Sequence, residues 1–423
     1  MRKKIIGALV LSLILYFLSI SYYEKLLVTF GDENISRKLD SNDKGDVLRY
    51  TGEMRDFKGN LLTDEIISET PKFNLNALTA ALIDGESGRV LFEKSGYKEV
   101  AMASTTKIMT CIIALEYGNL NDVVTVSKYA STMPDVQLNI VAGEQYILND
   151  LLYSLMLESH NDVSVAIAEH VGGSVEGFAK LMNAKAKELG CEHTNFVTPN
   201  GLDAEGHYTT AVELSKIAAY AIQNPEFIKI TNTASWVIKE QKKGRTHNVT
   251  NKDRFLYLYD GAIGVKTGFT NNAGYCFVGA VKKDNKTLIT AVLGSGWPPN
   301  KNYKWKDTIS LMDYGRDKFV KNQIFYKDKV FDPIPVYEGM DNKVSLYYNG
   351  DMSLLMKEDE MVRIVYELPQ YLVAPVTADT VIGNAKYYIG NELYEEVPIY
   401  TAGDIEKIDL EYCLKNIFDL WVK

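Results

Sequence analysis

Residues 102–110 read MASTTKIMT, and the run that follows, CIIALEYG, is mostly apolar. Ser104 and Lys107 stand three residues apart where the apolar stretch begins. On a helix they share one face, so the two side-chain heads can meet. Two readings fit: a helix cap followed by a solvated lysine, or a nucleophile with its own base. A serine hydroxyl attacks well only if a base takes its proton. Lysine is such a base only when neutral, a state favoured by burial and by neighbouring positive charge. A serine at a helix start also sets its own N–H near the positive end of the helix dipole, where an oxyanion can be held. The spacing alone does not choose between the two.

Two motifs downstream bear on the choice. LESHNDVS (157–164) holds Ser159 and Asn161 where one helical pattern ends and another begins. They read either as boundary caps or as a polar pair turned into a cleft. GAIGVKTGFTNNAGY (261–275) carries Lys266, Thr267 and Gly268 on a β-rich run, where a glycine marks a close backbone approach. A lysine and a hydroxyl at that place can bind a carboxylate; a solvated strand with a glycine turn is the plainer reading. The order S-x-x-K, S-x-N, K-T-G, with 55 residues from Ser159 back to Ser104 and 107 on to Lys266, is more specific than any one member. Such a trio, with S-D-N in the middle, belongs to class A β-lactamases and penicillin-binding proteins.

With IDGESGRVLFEKS, PNGLDAEGHYTT and GVKTGFT beside MASTTKIMT, the chain resembles the low-molecular-mass penicillin-binding proteins, the serine-type D-alanyl-D-alanine carboxypeptidases, strongly over about 75–320. One departure stands out: His160 occupies the middle of the second motif, where that family usually has glycine. The resemblance implies that Ser104 attacks the carbonyl between two terminal D-alanines of a peptidoglycan stem peptide and that Lys107 takes its proton. It implies that Ser159 passes a proton to the leaving amine and that Asn161 positions Lys107 and the substrate. Lys266 and Thr267 would hold the terminal carboxylate, Gly268 would leave room for it, and the N–H groups of Ser104 and Phe269 would form the oxyanion hole. Water then resolves the acyl-enzyme, β-lactams acylate Ser104 and leave slowly, and no cofactor or metal is implied.

The fold expected is α+β: a β-lactamase/transpeptidase-like domain, its antiparallel sheet built from chain-distant strands around a helical cluster, then a small all-β domain and a terminal amphipathic helix. LTAALIDGESGRVLFEK (78–94) and GYCFVGAVKKDNKTLITAVLGSG (274–296) read as hairpins. The stretches 108–118 and 148–159, NDVSVAIAEHVG and VEGFAKLMNAKAKELG read as helices, the last stopped by Gly190. Thr209 or Thr210 is the expected cap of the helix that follows HYTT, with Glu213 behind it. The boundaries expected are a signal peptide or signal anchor at 1–23, a linker at 24–70, the catalytic domain at 71–322, a β-rich domain at 323–404 and the amphipathic helix at 405–423. On that helix Leu410, Cys413, Leu414, Ile417, Phe418, Leu420 and Trp421 share a face.

MRKK followed by the uncharged run 5–20 predicts export, and so the extracytoplasmic face of a bacterial membrane or secretion. The N-terminal segment and the amphipathic helix are the two candidate membrane contacts. A net charge of −9 speaks against nucleic acid. The four cysteines, at 111, 191, 276 and 413, show no paired spacing and read as buried free thiols. None of the five histidines sits in an HExxH pattern, and His207 reads as a structural loop residue. A β-lactamase, a transpeptidase or endopeptidase, and a non-enzymatic wall protein are the competing functions. The extra β-domain is unlike the first, and the complete trio argues against the last.

Overall fold

A computed structural model of the chain describes residues 47–423 except 57, 59, 64–70, 135, 325–330, 350, 351, 391 and 423. The expected signal segment 1–23 and the first part of the expected linker, 24–46, lie outside the described residues. Within that linker Val47–Asp56 is a strand, β1, an edge of the C-terminal sheet, so this part of 24–70 is not a linker. In sequence Leu48, Tyr50 and Met54 share one face of this strand, but Gly52 interrupts that short alternation.

The chain groups into two units. One spans 55–325 with 351–361, and the other takes the described parts of 1–54, 326–350 and 362–423. In the first, a five-stranded antiparallel sheet is formed by Thr79–Asp84 (β2), Val90–Lys94 (β3), Ala262–Thr270 (β4), Gly274–Lys283 (β5) and Lys286–Leu293 (β6). The order is β3-β2-β6-β5-β4, which joins strands from both ends of the unit and leaves β4, the K-T-G strand, at an edge. Period two divides the sheet between two cores: Ala81, Ile83, Ile289, Ala291 and Leu293 face one, Ala80, Leu82, Leu288 and Val292 the other. The β5–β6 hairpin turns at Asp284 and Asn285, both with positive φ, the backbone that two-residue hairpin turns demand and that Asp and Asn tolerate.

The helical cluster comprises Lys107–Tyr117 (α1), Leu148–Leu157 (α2), Asn161–Gly172 (α3), Val175–Glu188 (α4), Ala211–Ala221 (α5) and Pro225–Asn232 (α6). Ile108, Met109, Cys111, Ile112, Ile113 and Ala114 are all buried, so α1 is enclosed from Lys107 through Ala114, and each large aliphatic side chain contributes about 1.5–3 kcal/mol. Ser174 caps α4 by accepting the Gly177 N–H, and Gly190 sits just past the helix end at φ 70°. Thr210, not Thr209, caps α5, accepting the N–H of Glu213. The other sheet face is covered by Phe255–Leu258 (α7) and Tyr303–Lys318 (α8). At Gly315 a Cβ would come within 2.9 Å of Leu288, so glycine sets how closely α8 approaches the sheet.

In the second unit β1 joins a five-stranded sheet with Leu346–Tyr348, Met361–Pro369, Val381–Ile389 and Glu392–Thr401. The expected all-β texture is therefore present, but Ser353–Met356 pairs with Val320–Gln323 and groups with the catalytic unit. The terminal helix, Leu410–Val422 (α9), starts later than 405: Ile405 and Lys407 lie in β-bridges instead. Cys111, Cys191 and Cys276 are buried free thiols, whereas Cys413 is half-buried.

Candidate active site

Ser104 lies in a single 3₁₀ turn, Ala103–Thr106, that runs directly into α1. Ala103 enters it at φ 49°, a left-handed conformation that costs a non-glycine residue roughly 1–3 kcal/mol. Three contacts hold this turn. The Thr106 hydroxyl donates to the Ala103 carbonyl at 2.8 Å. Behind it, His207 Nδ1 accepts the Val197 N–H at 3.0 Å, so its proton sits on Nε2, 2.9 Å from Thr106 Oγ1. Gly201, at φ 81°, packs so tightly that a Cβ would lie 2.0 Å from the Ala103 oxygen.

Lys107 has no solvent exposure. Its Nζ reaches Ser104 Oγ at 3.0 Å, Asn161 Oδ1 at 2.9 Å and the Asn200 carbonyl at 2.5 Å. Burial drives its pKa well below the ordinary value, the Lys266 charge pushes the same way, and Asp162 opposes. A neutral amine has two N–H donors and one lone pair. The two fixed acceptors, Asn161 Oδ1 and the Asn200 carbonyl, take the donors. The lone pair is then left for the Ser104 O–H, the geometry of a base beside its nucleophile.

Asn161 is fixed from both sides. Its N–H donates to the Val136 carbonyl at 2.7 Å and its amide nitrogen to the Pro134 carbonyl at 3.1 Å. Asp162 next to it accepts the Leu138 and Ile140 N–H groups. Ser159 precedes them at φ 72°, and its buried hydroxyl has no hydrogen-bond partner among the described residues. His160 is held by its own neighbours: Nδ1 meets Ser154 Oγ at 2.8 Å and Nε2 lies 3.4 Å from Glu158. Burial pushes the His160 pKa down to about 4, against Asp162 and Glu158, so it is neutral at pH 7.

On β4, Gly268 passes directly over the 3₁₀ turn. A Cβ there would meet the amide nitrogens of Ser104 and Thr105 at 2.9 and 3.0 Å. Lys266 is buried, donating to the Thr267 carbonyl at 3.1 Å, and burial lowers its pKa to about 8 while Asp253 raises it. Thr267 is half-buried, and Phe269 is exposed with its ring 4.6 Å from that of Tyr275. The structure thus brings Ser104, Lys107, Asn161 and Gly268 into contact, sets Lys266 within electrostatic reach of Lys107, and leaves the Ser159 hydroxyl unbonded among the described residues. Sequence reasoning missed the Asn200 carbonyl and the brace from His207. Both lie in PNGLDAEGHYTT, where the PNG turn was the available signal.

Comparison with known proteins agrees with this geometry. The D-alanyl-D-alanine carboxypeptidase family model matches residues 65–296, and that of the penicillin-binding protein 5 C-terminal domain matches 319–407. D-alanyl-D-alanine carboxypeptidase DacF of Bacillus subtilis is 30% identical over 355 residues, 82% of this chain and 90% of that one. The structure of penicillin-binding protein 5 from Haemophilus influenzae superposes with a TM-score of 0.67 at 28% identity, over 80% of this chain and all of that one. The Streptomyces K15 DD-transpeptidase superposes at 0.54 with 30% identity, over 59% of this chain and all of that one. The chain belongs to the D-alanyl-D-alanine carboxypeptidase family. It is a serine peptidase that removes the terminal D-alanine from peptidoglycan stem peptides, and the serine acyl-enzyme route and β-lactam inhibition are general to that family. Its substrate lies outside the cytoplasm.

Proposed function

We propose that the residues met in this cleft carry that reaction as follows. Neutral Lys107 takes the Ser104 proton as Oγ adds to the carbonyl of the penultimate D-alanine. The oxyanion is received by the N–H groups of Ser104 and Phe269. Ser159, its hydroxyl without another partner among the described residues, relays a proton to the leaving amine, and free D-alanine departs. Water repeats the sequence on the acyl-enzyme and returns Ser104 and Lys107 to their first state. Lys266 and Thr267 hold the substrate carboxylate, Gly268 admits it, and Asn161 fixes Lys107. The observation that carries this reading is Lys107: fully buried, depressed in pKa, and 3.0 Å from Ser104 Oγ with two other acceptors fixed.

The test is to incubate the protein with a muropeptide ending in D-Ala-D-Ala and to follow products by mass. Loss of one alanine, abolished in Ser104→Ala, supports it; turnover unchanged in that variant sinks it. Cross-linked product would mark transpeptidation from the same site, an outcome made relevant by the likeness to the K15 enzyme.

We further propose attachment at a membrane through the segment 1–23 and through α9. In support, α9 exposes Leu414, Phe418, Leu420 and Trp421, the last at 88%. Among the described residues no helix is long and apolar enough to cross a membrane, so α9 would lie in the interface.

A further inference from the structure

Behind the K-T-G strand lies a cluster of buried charges that the mechanism above does not use. Asp253 is buried just before α7. One carboxylate oxygen accepts the Phe255 N–H at 2.9 Å, and the other, Oδ2, accepts no hydrogen bond among the described residues. The helix that follows it, α7, packs directly on β4, and the charges whose fields act on Asp253 are Lys266 from β4 and Lys304 from α8, both buried as well. Arg254, on its own segment, turns to Asn302 at 3.5 Å. Lys304 in turn donates to the Lys301 carbonyl at 2.9 Å, lies over the Tyr275 ring and is faced by Cys276 from β5.

A buried carboxylate with half its hydrogen-bonding capacity unused is costly. An asparagine could accept the same Phe255 N–H without a charge to desolvate. What aspartate adds at this position is negative charge, and the group that feels it nearest the reaction is Lys266. No direct ion pair joins the two, so the influence is one of field within a low-dielectric interior. Resting on the reading of Lys266 as the receiver of the substrate carboxylate, we propose that Asp253 is a positioning residue that keeps the Lys266 ammonium charged for that task. The pKa directions agree. Burial lowers Lys266 to about 8 and Asp253 opposes that fall. Burial raises Asp253 to about 7, and Lys266 and Lys304 oppose that rise. Above pH 7 Asp253 is therefore ionised and supports the ammonium where it would otherwise be losing its proton.

Asp253→Asn separates charge from packing, because it retains an acceptor for Phe255. Rates are compared between an N-acylated peptide ending in D-Ala-D-Ala and the same peptide amidated at its C-terminus. The wild-type enzyme should strongly prefer the free carboxylate; equal rates would instead overturn the reading of Lys266 itself. In D253N the alkaline limb of kcat/KM for the carboxylate peptide should move to lower pH. Lowering the Lys266 pKa by about one would cost roughly fivefold at pH 8, in KM rather than kcat, and leave the amide peptide unaffected. A wild type that prefers the carboxylate, with a D253N profile that superposes on it, overturns the proposal. So does a D253N enzyme with lowered Tm and an unshifted limb, which would assign Asp253 to the fold alone. Without any variant, NMR of the lysine side-chain ammonium signals in the wild type should show Lys266 sensing a step near pH 7, before its own titration; its absence also counts against the idea.

Discussion

At the scale of single residues, the geometry of the candidate site comes from two backbones and one lysine packed together. Gly268 is the sharpest case, since any side chain there would strike the Ser104 and Thr105 amide nitrogens, groups that cannot swing aside. Gly268→Ala should slow acylation by a β-lactam by about 10²-fold, the size expected when reacting groups are displaced by a fraction of an ångström to one ångström. Stopped-flow acylation measures this, and an unchanged rate would show that β4 does not define the cleft floor. Ser104, Lys107, Asn161 and the K-T-G residues were legible from motif order. The Asn200 carbonyl was not, because a backbone acceptor is the same for every residue and leaves no mark in composition. His160 was visible as a departure, but its partners were not: it bonds Ser154 and lies beside Glu158.

At the scale of elements, the 3₁₀ turn at Ser104 is strained at Ala103 and held from behind by His207 through Thr106. That brace requires the neutral imidazole, because Nδ1 already accepts the Val197 N–H. Burial lowers the His207 pKa to about 4, with Asp203 opposing, and His160 is lowered to about 4 too. The unfolded chain binds these protons near pH 6.5 and the folded chain only near 4. The stabilisation they report is therefore complete above 6.5 and is lost as pH falls from 6.5 to 4. Each histidine contributes a slope of at most about 1.4 kcal/mol per pH unit in that window. Tm against pH should fall across it, and His207→Gln should flatten the fall; an equal slope in the variant would remove His207 from the account. The hairpins, the Gly190 stop of α4 and the cap of α5 were readable because turn and cap chemistry is local; the Ser174 cap of α4 was not read. Not read were α6 and α8. The first is short, despite the Asn224 cap and Pro225 at its start. The second carries charge on much of its length and packs through Trp305, Leu311, Met312 and Gly315.

At the scale of the whole molecule, the α+β order and the chain-distant sheet followed from where strands and helices fall along the sequence. The strand within 24–70 and the return of 351–361 to the catalytic unit did not, since both depend on pairing with segments far away. The exposed apolar face of α9 belongs to this scale, because nothing in the catalytic chemistry uses it. Removing 409–423 from a chain that lacks 1–23 should leave hydrolysis of a soluble D-Ala-D-Ala peptide within twofold of the untruncated chain, while binding to phospholipid vesicles is lost. Vesicle binding that survives the truncation would move the anchor elsewhere.

The central claim is that Ser104 becomes covalently acylated because Lys107 accepts its proton. Peptide mapping by mass spectrometry after brief exposure to a penicillin tests it most directly. The account predicts a single adduct on the peptide that carries Ser104, absent in Ser104→Ala and slowed by orders of magnitude in Lys107→Ala. An adduct on any other residue, or full-rate labelling without Lys107, would contradict it.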